Sequence, residues 1–274
     1  MPDGYQIVSH ADVTCITFDI LARSGVAGHC FTTRLGGVSS GPYAGLNLAL
    51  HVGDREQDVL ENRRLVCARL GASLDDMVAG QQVHGANVAV VGEAQRGAGA
   101  RQYAGALPDT DALVTGRPGL VLASFYADCV PVFLLDPQRR AAGLAHAGWQ
   151  GTRRKIAARA VQVMQSALGC RPQDILAVIG PSIGPCCYTV GADVYQHFVA
   201  AFPRHIDALA RPAGPHKWHL DLWQSNRLVL LEAGLAEGNI YTARLCTSCR
   251  EDLFFSYRRQ GGRCGRMAAL MRLL

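Results

Sequence analysis

The sequence predicts an α+β fold of layered mixed β-sheets flanked by helices. Two observations support this: apolar runs short enough for strands recur along the chain, and other segments space their apolar residues with helical periodicity. No repeat of about 20–50 residues interrupts the pattern. Because no Gly/Ser-rich linker divides the 274 residues, we predict a single domain over residues 1–274.

The first half of the chain is predicted to hold strands and one helix. Residues 55–72 space their apolar side chains as a helix does, and Gly71 ends the pattern. Predicted strands lie at residues 13–20, at the start of 29–54, in two pieces of 76–93 around residues 81–85, and at the end of 101–115.

The second half adds a hairpin and more helices. Thr152 is a good N-cap and Gly169 a good C-terminal residue for a helix over residues 152–169. Two further helices are predicted at 191–202 and 220–235, and strands at 130–135, 141–146, 175–180 and 240–247. Residues 203–219 are predicted to be irregular, 249–259 a short helix or an extended piece, and 266–274 a strand or a helix.

The amino-acid composition is that of a globular protein without a membrane span. Hydrophobic residues make up 49% and charged residues 18% of the chain, which is typical of a globular protein. No apolar run approaches the ~18 residues of a membrane span, and the first 15 residues lack a basic head followed by an apolar core. We therefore expect a cytoplasmic protein with no membrane partner, whose ten cysteines serve as free thiols, metal ligands or catalysts.

The charge pattern favours a small-molecule partner. The net charge is +5, and only two basic residues, Lys155 and Lys217, are lysines. Arginine suits planar anions such as phosphate and carboxylate, whereas the scattered basic residues do not predict nucleic-acid binding. Residues 153–155, three cations at a predicted helix start, are either an anion site or a solvated surface.

A predicted hairpin brings a thiol and an imidazole together. Asp136-Pro137 suits a type I turn over residues 136–139, and that turn would place Cys129 directly opposite His146. Upstream, His84 precedes Gly85 as His146 precedes Ala147-Gly148. Two histidines and one cysteine with an open fourth position are typical of a catalytic zinc site. The spacing alone leaves open whether the three converge.

Several ungapped motifs make the chain similar to a known family. They are TTRLGGVSSGPYAGLNLALHVGD, QQVHG, DALVT, ADCVPVFLLD, AHAGWQGT, IGPSIGPCCYTV, FFSYRR and GRMAAL. With these segments the chain resembles the YfiH-like family, also called laccase-domain or polyphenol-oxidase-like proteins. Cys264 departs from the family pattern, where threonine is expected.

The resemblance implies an enzyme and a metal. It implies a zinc-dependent purine nucleoside phosphorylase, acting on adenosine, inosine and S-methyl-5'-thioadenosine, with adenosine deaminase activity. Zinc, with copper as a second possibility, would be held by the catalytic residues His84, Cys129 and His146. The implied fold is the cysteine hydrolase fold shared with CNF-type deamidase toxins.

The sequence indicates the residues that bind substrate less directly than the metal ligands. Phosphate would need arginine, for which Arg34 is the leading candidate, with Arg259 and Arg153 behind it. Asn47 could hydrogen-bond the substrate. Asp128 is a candidate general acid/base, but in a strand it would face away from Cys129.

Other functions stay open. Cys129 activated by a histidine could be the nucleophile of a cysteine hydrolase or amidase acting on a cell-wall precursor or peptide amide. A copper-dependent polyphenol oxidase needs several copper sites, and a non-enzymatic protein would keep a closed metal site. The CxxC pair Cys246 and Cys249 indicates a redox pair or half of a zinc ribbon. Its only possible second half is the adjacent Cys186-Cys187, so free structural thiols are favoured.

Overall fold

Two six-stranded β-sheets pack face to face in the computed structural model, which describes residues 4–10 and 12–274. The fifteen strands within this range are β1 Tyr5–His10, β2 Val13–Phe18, β3 Ala27–Gly36, β4 Met77–Ala79, β5 Val88–Val90, β6 Ala112–Thr115, β7 Val121–Tyr126, β8 Val130–Asp136, β9 Ala141–Ala147, β10 Leu176–Ile179, β11 Thr189–Gly191, β12 Ala210–Gly214, β13 Lys217–Leu220, β14 Ile240–Thr242 and β15 Met267–Leu273. The seven α-helices of the same range are α1 Asp19–Ala22, α2 Glu56–Arg69, α3 Trp149–Arg153, α4 Ile156–Leu168, α5 Ala192–Ala201, α6 Ile206–Leu209 and α7 Leu222–Glu232.

Both large sheets are mixed, which confirms the predicted fold class. The first has the order β1-β2-β3-β15-β7-β4 and the second the order β14-β10-β8-β9-β6-β5, while β11-β13-β12 form a small third sheet. Parallel pairing occurs between β4 and β7, between β5 and β6, and between β10 and β14. The remaining strand pairs are antiparallel.

The large sheets are layered between helices because both faces of each sheet are apolar. Phe31 and Leu122 of the first sheet and Phe133 and Leu144 of the second share one buried cluster. The outer face of the first sheet packs against α2, and the outer face of the second packs against α4 and α7. Among the helices of the described residues, none combines the length and the hydrophobicity that a membrane span requires.

The central hairpin is confirmed, but its predicted register is wrong by two residues. Asp136 pairs with Ala141, and His146 therefore faces Pro131 rather than Cys129. The loop is longer than a two-residue turn because Arg140 adopts a left-handed φ of 50°, while the Asp136 carboxylate accepts the N–H groups of Gln138 and Arg139. Since side chains alternate with a period of two, a two-residue shift keeps Cys129 and His146 on the same face.

The predicted helix over residues 152–169 is interrupted. Lys155, with φ 58°, separates α3 from α4, so Thr152 is not an N-cap. Its hydroxyl instead donates to the carbonyl of Ala147. Arg153, Arg154 and Lys155 still lie directly before α4, where they line a surface cavity of about 550 Å³, so an anion site there remains a prediction. Gly169 ends α4 with φ 68°, as predicted.

Several other segments differ from prediction. Residues 203–219 are not irregular: they contain α6, β12 and β13. The sequence pattern did not predict β12 because Pro212 and Gly214 are unusual within strands. Proline is tolerated here because β12 is an edge strand, and a bulge separates the two residues. Residues 249–259 form turns rather than a helix or a strand, and β1 and β7 were not predicted. Residues 267–273 form the strand of the two alternatives.

Phe133 tests the packing between the two large sheets. Its fully buried ring lies 5.4 Å from the ring of Phe18 and 6.3 Å from that of His29. Phe133→Ala should lower the free energy of unfolding in urea by about 3–5 kcal/mol, because it removes apolar contacts and leaves a cavity. Val90→Ala, at a side chain that is 49% exposed, is the control and should stay within about 0.5 kcal/mol of wild type. A loss below about 1 kcal/mol for Phe133→Ala would contradict this packing.

Candidate active site

His84, Cys129 and His146 meet where β8 begins and β9 ends, at the strand ends in the middle of the second sheet. One nitrogen of each histidine and the Cys129 Sγ all lie within 4.8 Å of one another. His146 is buried on β9, Cys129 is half-buried just before β8, and His84 is exposed in the loop between β4 and β5. The structure therefore brings together the three residues that the sequence predicted as a set.

A buried carboxylate, Asp111, orients both histidines. Its Oδ1 lies 2.9 Å from Nδ1 of His146, and its backbone carbonyl accepts the N–H of His146 at 2.8 Å. The same carboxylate accepts three successive backbone N–H groups, those of Val83, His84 and Gly85, at 3.2, 3.0 and 2.7 Å. With Nδ1 bonded to Asp111, Nε2 of His146 is the nitrogen left to act as a ligand or base.

The three residues perturb one another electrostatically. Burial raises the pKa of the Cys129 thiol, but the adjacent His146 and His84 more than offset this effect and lower the pKa to about 6. Burial lowers the pKa of His146, whereas the Cys129 sulfur and the Asp111 carboxylate raise it to about 9. Without a metal, Cys129 and His146 therefore form a thiolate–imidazolium pair near neutral pH, and a thiolate is both a good nucleophile and a good soft-metal ligand.

The surroundings of these side chains fit a metal ion. A Cβ on Gly148 would lie 2.9 Å from Cys129 Sγ and 3.0 Å from Cδ2 of His84, so glycine is needed where the chain passes over the ligands. One thiolate and two imidazoles form a donor set that binds zinc or copper. Asp111 also holds His146 in the manner usual for metal-ligating histidines. The site thus supports a metal, without identifying which one.

The three residues lie in a cavity of about 490 Å³. Its aromatic lining comes from Phe125, Trp149, Tyr188 and Tyr257, and its charged or polar lining from His51, Gln82, Asp128, Arg258 and Arg266. Apolar walls with a few placed polar groups are typical of small-molecule sites. The size and lining are therefore suitable for a planar, partly charged ligand.

Asp128 lines the cavity, but its carboxylate is engaged in hydrogen bonds with neighbouring loops. It adopts a left-handed φ of 83° immediately before Cys129. Its carboxylate accepts hydrogen bonds from the Thr247 hydroxyl at 2.6 Å, the Ser256 hydroxyl at 3.0 Å and the Arg258 N–H at 2.7 Å. Three donors leave little capacity for proton transfer, which favours a structural role for Asp128 over the acid/base role predicted from the sequence.

The cavity is lined by none of the predicted substrate residues, which are Arg34, Arg259, Arg153 and Asn47. Arg34 stacks on the ring of Phe255 at 4.8 Å, and Arg259 pairs with Glu251. Asn47 is fully buried, and its Oδ1 accepts the backbone N–H of Arg266 at 2.9 Å. Their direct role in substrate binding remains a prediction, and for Asn47 the structure offers an indirect role in placing Arg266.

Sequence reasoning missed two residues that line the cavity, His51 and Arg266, and the carboxylate behind it, Asp111. Asp111, His51 and Arg266 were not singled out, although each lies within a motif that carries the family resemblance. The N–H and carbonyl of Phe125 bond the side-chain amide of Gln82, which fixes that part of the wall. Burial lowers the pKa of His51 most strongly and nearby Arg266 and Arg63 lower it further, to about 4, so its imidazole is neutral at pH 7.

Comparison with known proteins assigns the family. Residues 28–274 match the family model described as multi-copper polyphenol oxidoreductase laccase. The chain belongs to this family. The crystal structure of hypothetical protein YfiH from Bacillus licheniformis, a similar fold, has a TM-score of 0.93 and 40% identity, covering 98% of this chain and 99% of that one. The likeness to cysteine hydrolase toxins remains a prediction.

Relatives with named activities show that this laccase-family chain is an enzyme. It is 45% identical over 271 residues to purine nucleoside phosphorylase YlmD of Geobacillus stearothermophilus, covering 99% of this chain and 97% of the relative. It is also 38% identical over 246 residues to adenosine deaminase RL5 of an unknown prokaryotic organism, covering 89% of this chain and 94% of the relative. The predicted family and enzyme status are therefore confirmed.

Asp111→Asn should weaken metal binding by about 10–100-fold with little change in fold, because the amide cannot replace a carboxylate that accepts from His146 and three backbone N–H groups. Metal affinity measured by competition with a chelator, together with the His146 ring signals in NMR, would check this. Asp136→Asn is the matched control, since Asp136 is equally buried but lies in the distant hairpin loop. An unchanged affinity in Asp111→Asn would contradict the role of the carboxylate.

Proposed function

We propose that this chain is a zinc-dependent purine nucleoside phosphorylase, acting on adenosine, inosine and S-methyl-5'-thioadenosine, that also deaminates adenosine. The observation that carries the proposal is the His84–Cys129–His146 donor set, held by Asp111 within a cavity that also presents aromatic rings and guanidinium groups. The named activities of the relatives supply the reaction class.

His84, Cys129 and His146 would hold the zinc. When bound there, zinc supplies a Lewis acid that lowers the pKa of water and stabilises developing negative charge. Asp111 keeps Nδ1 of His146 engaged and so presents Nε2 to the ion. Copper is second in our proposal, because a multi-copper oxidase needs several copper sites rich in histidine, and the second group of clustered ligands in the described residues contains only cysteines.

The cavity lining assigns roles for nucleoside binding. Phe125 and Tyr257 offer ring faces on which a purine could stack. In phosphorolysis a phosphate oxygen bonds to C1′ of the ribose while the bond from C1′ to the purine nitrogen breaks. In deamination a water oxygen bonds to C6 of adenine and ammonia leaves. Neutral His51 is available to hydrogen-bond the base or the ribose in either reaction.

Arg266 is our proposed phosphate ligand. Its Nη1 donates to the carbonyls of Cys264 and Gly265 at 2.7 and 3.1 Å, which fixes the guanidinium at the cavity wall. Arg258 also lines the cavity, but its Nη1 donates to the carbonyl of Thr189 and its side chain is exposed. The Arg266 guanidinium is half-buried whereas that of Arg258 is exposed, so the attraction between Arg266 and a phosphate is screened less by water.

Cysteine catalysis is a second candidate. The Cys129 thiol, with a pKa lowered to about 6 beside two histidines, has the character of a nucleophile as well as a ligand. In that function the chain would hydrolyse an amide through a thioester. A reduced thiol is required in both functions, which supports the proposed cytoplasmic location.

The deciding experiment measures turnover of adenosine and inosine by zinc-loaded protein with and without phosphate. We expect phosphate-dependent release of free adenine and hypoxanthine, and conversion of adenosine to inosine without phosphate. Zinc content of Cys129→Ser separates the two candidates, because loss of zinc is expected for a ligand. Absence of turnover with either nucleoside in zinc-loaded protein would refute the proposal, and full zinc retention in Cys129→Ser would favour the nucleophile.

Arg266→Gln should separate the two reactions. We expect the KM for phosphate to rise about 10-fold or more, since a hydrogen bond to a charged group contributes about 1.5–3 kcal/mol. Deamination of adenosine, which uses no phosphate, should keep its kcat within a few-fold. Arg34→Gln and Arg259→Gln are matched controls, and a rise in the KM for phosphate in either would restore the assignment predicted from the sequence. Equal losses in both reactions of Arg266→Gln would contradict a phosphate role.

A further inference from the structure

Four cysteines from two separate loops gather at a second position. Cys186 and Cys187 lie in the loop between β10 and β11, and Cys246 and Cys249 lie in the loop after β14. All four Sγ atoms lie within 4.8 Å of one another. The Cys249 sulfur is 3.4 Å from that of Cys187 and 3.6 Å from that of Cys186. The adjacent pair is therefore the second half that the sequence left open for the CxxC motif.

The sulfur separations agree with a tetrahedron around one ion. Zinc–sulfur bonds of about 2.3 Å place the four sulfurs of a tetrahedral site about 3.8 Å apart. The two sulfur pairs at 3.4 and 3.6 Å lie close to that edge length, well beyond the ~2.05 Å of a disulfide.

Backbone hydrogen bonds fix the two loops together around the sulfurs. The N–H of Ser182 donates to the carbonyl of Leu245, and the N–H of Thr247 donates to the carbonyl of Ser182, both at 3.1 Å. The N–H of Gly184 donates to Cys246 Sγ at 3.2 Å. An N–H aimed at sulfur favours the thiolate form, which is the form that binds metals.

We propose that Cys186, Cys187, Cys246 and Cys249 form a tetrathiolate site for a thiophilic divalent cation of the zinc class. Four protein ligands close the coordination sphere, so the site is structural and separate from the open His84–Cys129–His146 site. Cys186 and Cys249 are exposed, and an ion can reach the sulfurs from solvent. Four thiolates this close together repel one another, and a bound cation offsets that repulsion.

The bound ion would stabilise one wall of the cavity that contains His84, Cys129 and His146. Ile183 and Tyr188 in the first loop line the cavity, and so do Tyr257 and Arg258 beyond the second. Joining the two loops through one ion restrains both parts of this wall. Loss of the ion should therefore lower the stability of the wall as well as the metal content.

The test measures zinc in full-length His84→Ala/Cys129→Ala protein, in which the first site is disabled. After equilibration with zinc and removal of the excess, we expect one zinc per chain, with four sulfur neighbours at about 2.3 Å by X-ray absorption. Adding Cys186→Ser and Cys249→Ser should abolish that zinc, whereas adding Cys170→Ala, a buried cysteine outside both clusters, should not. The result does not depend on the proposed reaction, because no activity is measured.

Three results would overturn the site. They are no retained zinc in His84→Ala/Cys129→Ala protein, full retention after the two serine substitutions, and a disulfide among the four cysteines in peptide mass spectrometry. If the serine variants do not fold, thiol labelling of His84→Ala/Cys129→Ala protein decides. Slow labelling of Cys186 and Cys249 that becomes fast on adding a chelator supports the site, and fast labelling without a chelator refutes it.

Discussion

The buried carboxylate of Asp111 is the interaction on which the active site depends. A buried anion is costly unless it is paired and hydrogen-bonded, and Asp111 satisfies its two oxygens with His146 and three backbone N–H groups. Those N–H groups belong to Val83, His84 and Gly85, so the carboxylate also shapes the loop that carries the other histidine. The left-handed φ of 59° at His84 costs about 1–2 kcal/mol, which these charge-assisted bonds offset.

The sheets explain why the reactive groups meet where they do. β6 and β9 are neighbours in the second sheet, which places Asp111, just before β6, beside His146 on β9. Cys129 lies in the short connection from β7 in the first sheet to β8 in the second. The thiol therefore sits where the chain crosses between the two packed sheets, and rigid elements hold both of its ends.

The sequence predicted what depends on periodicity and motif, and it missed what depends on distant contacts. The predicted hairpin register was off by two residues, yet Cys129 and His146 stayed on the same face because the shift was even. Arg34 was chosen for its charge, but its guanidinium is engaged with Phe255, a residue more than 200 positions away. Likewise, Asp111 in PDTDAL looks like an ordinary turn aspartate until β9 is placed beside it.

Asp128 connects the Cys129 thiol to the cysteine-rich loops. Its backbone carbonyl accepts the N–H of Ile183, and its carboxylate accepts the hydroxyl of Thr247, the residue after Cys246. The left-handed backbone at Asp128 is strained, and such strain persists only when surrounding contacts fix it. Those contacts come from the same two loops that supply the four clustered cysteines. The position of the Cys129 sulfur therefore depends on how firmly these loops are joined, and a closed ion site between them would hold the thiol toward His84 and His146 without taking part in the chemistry.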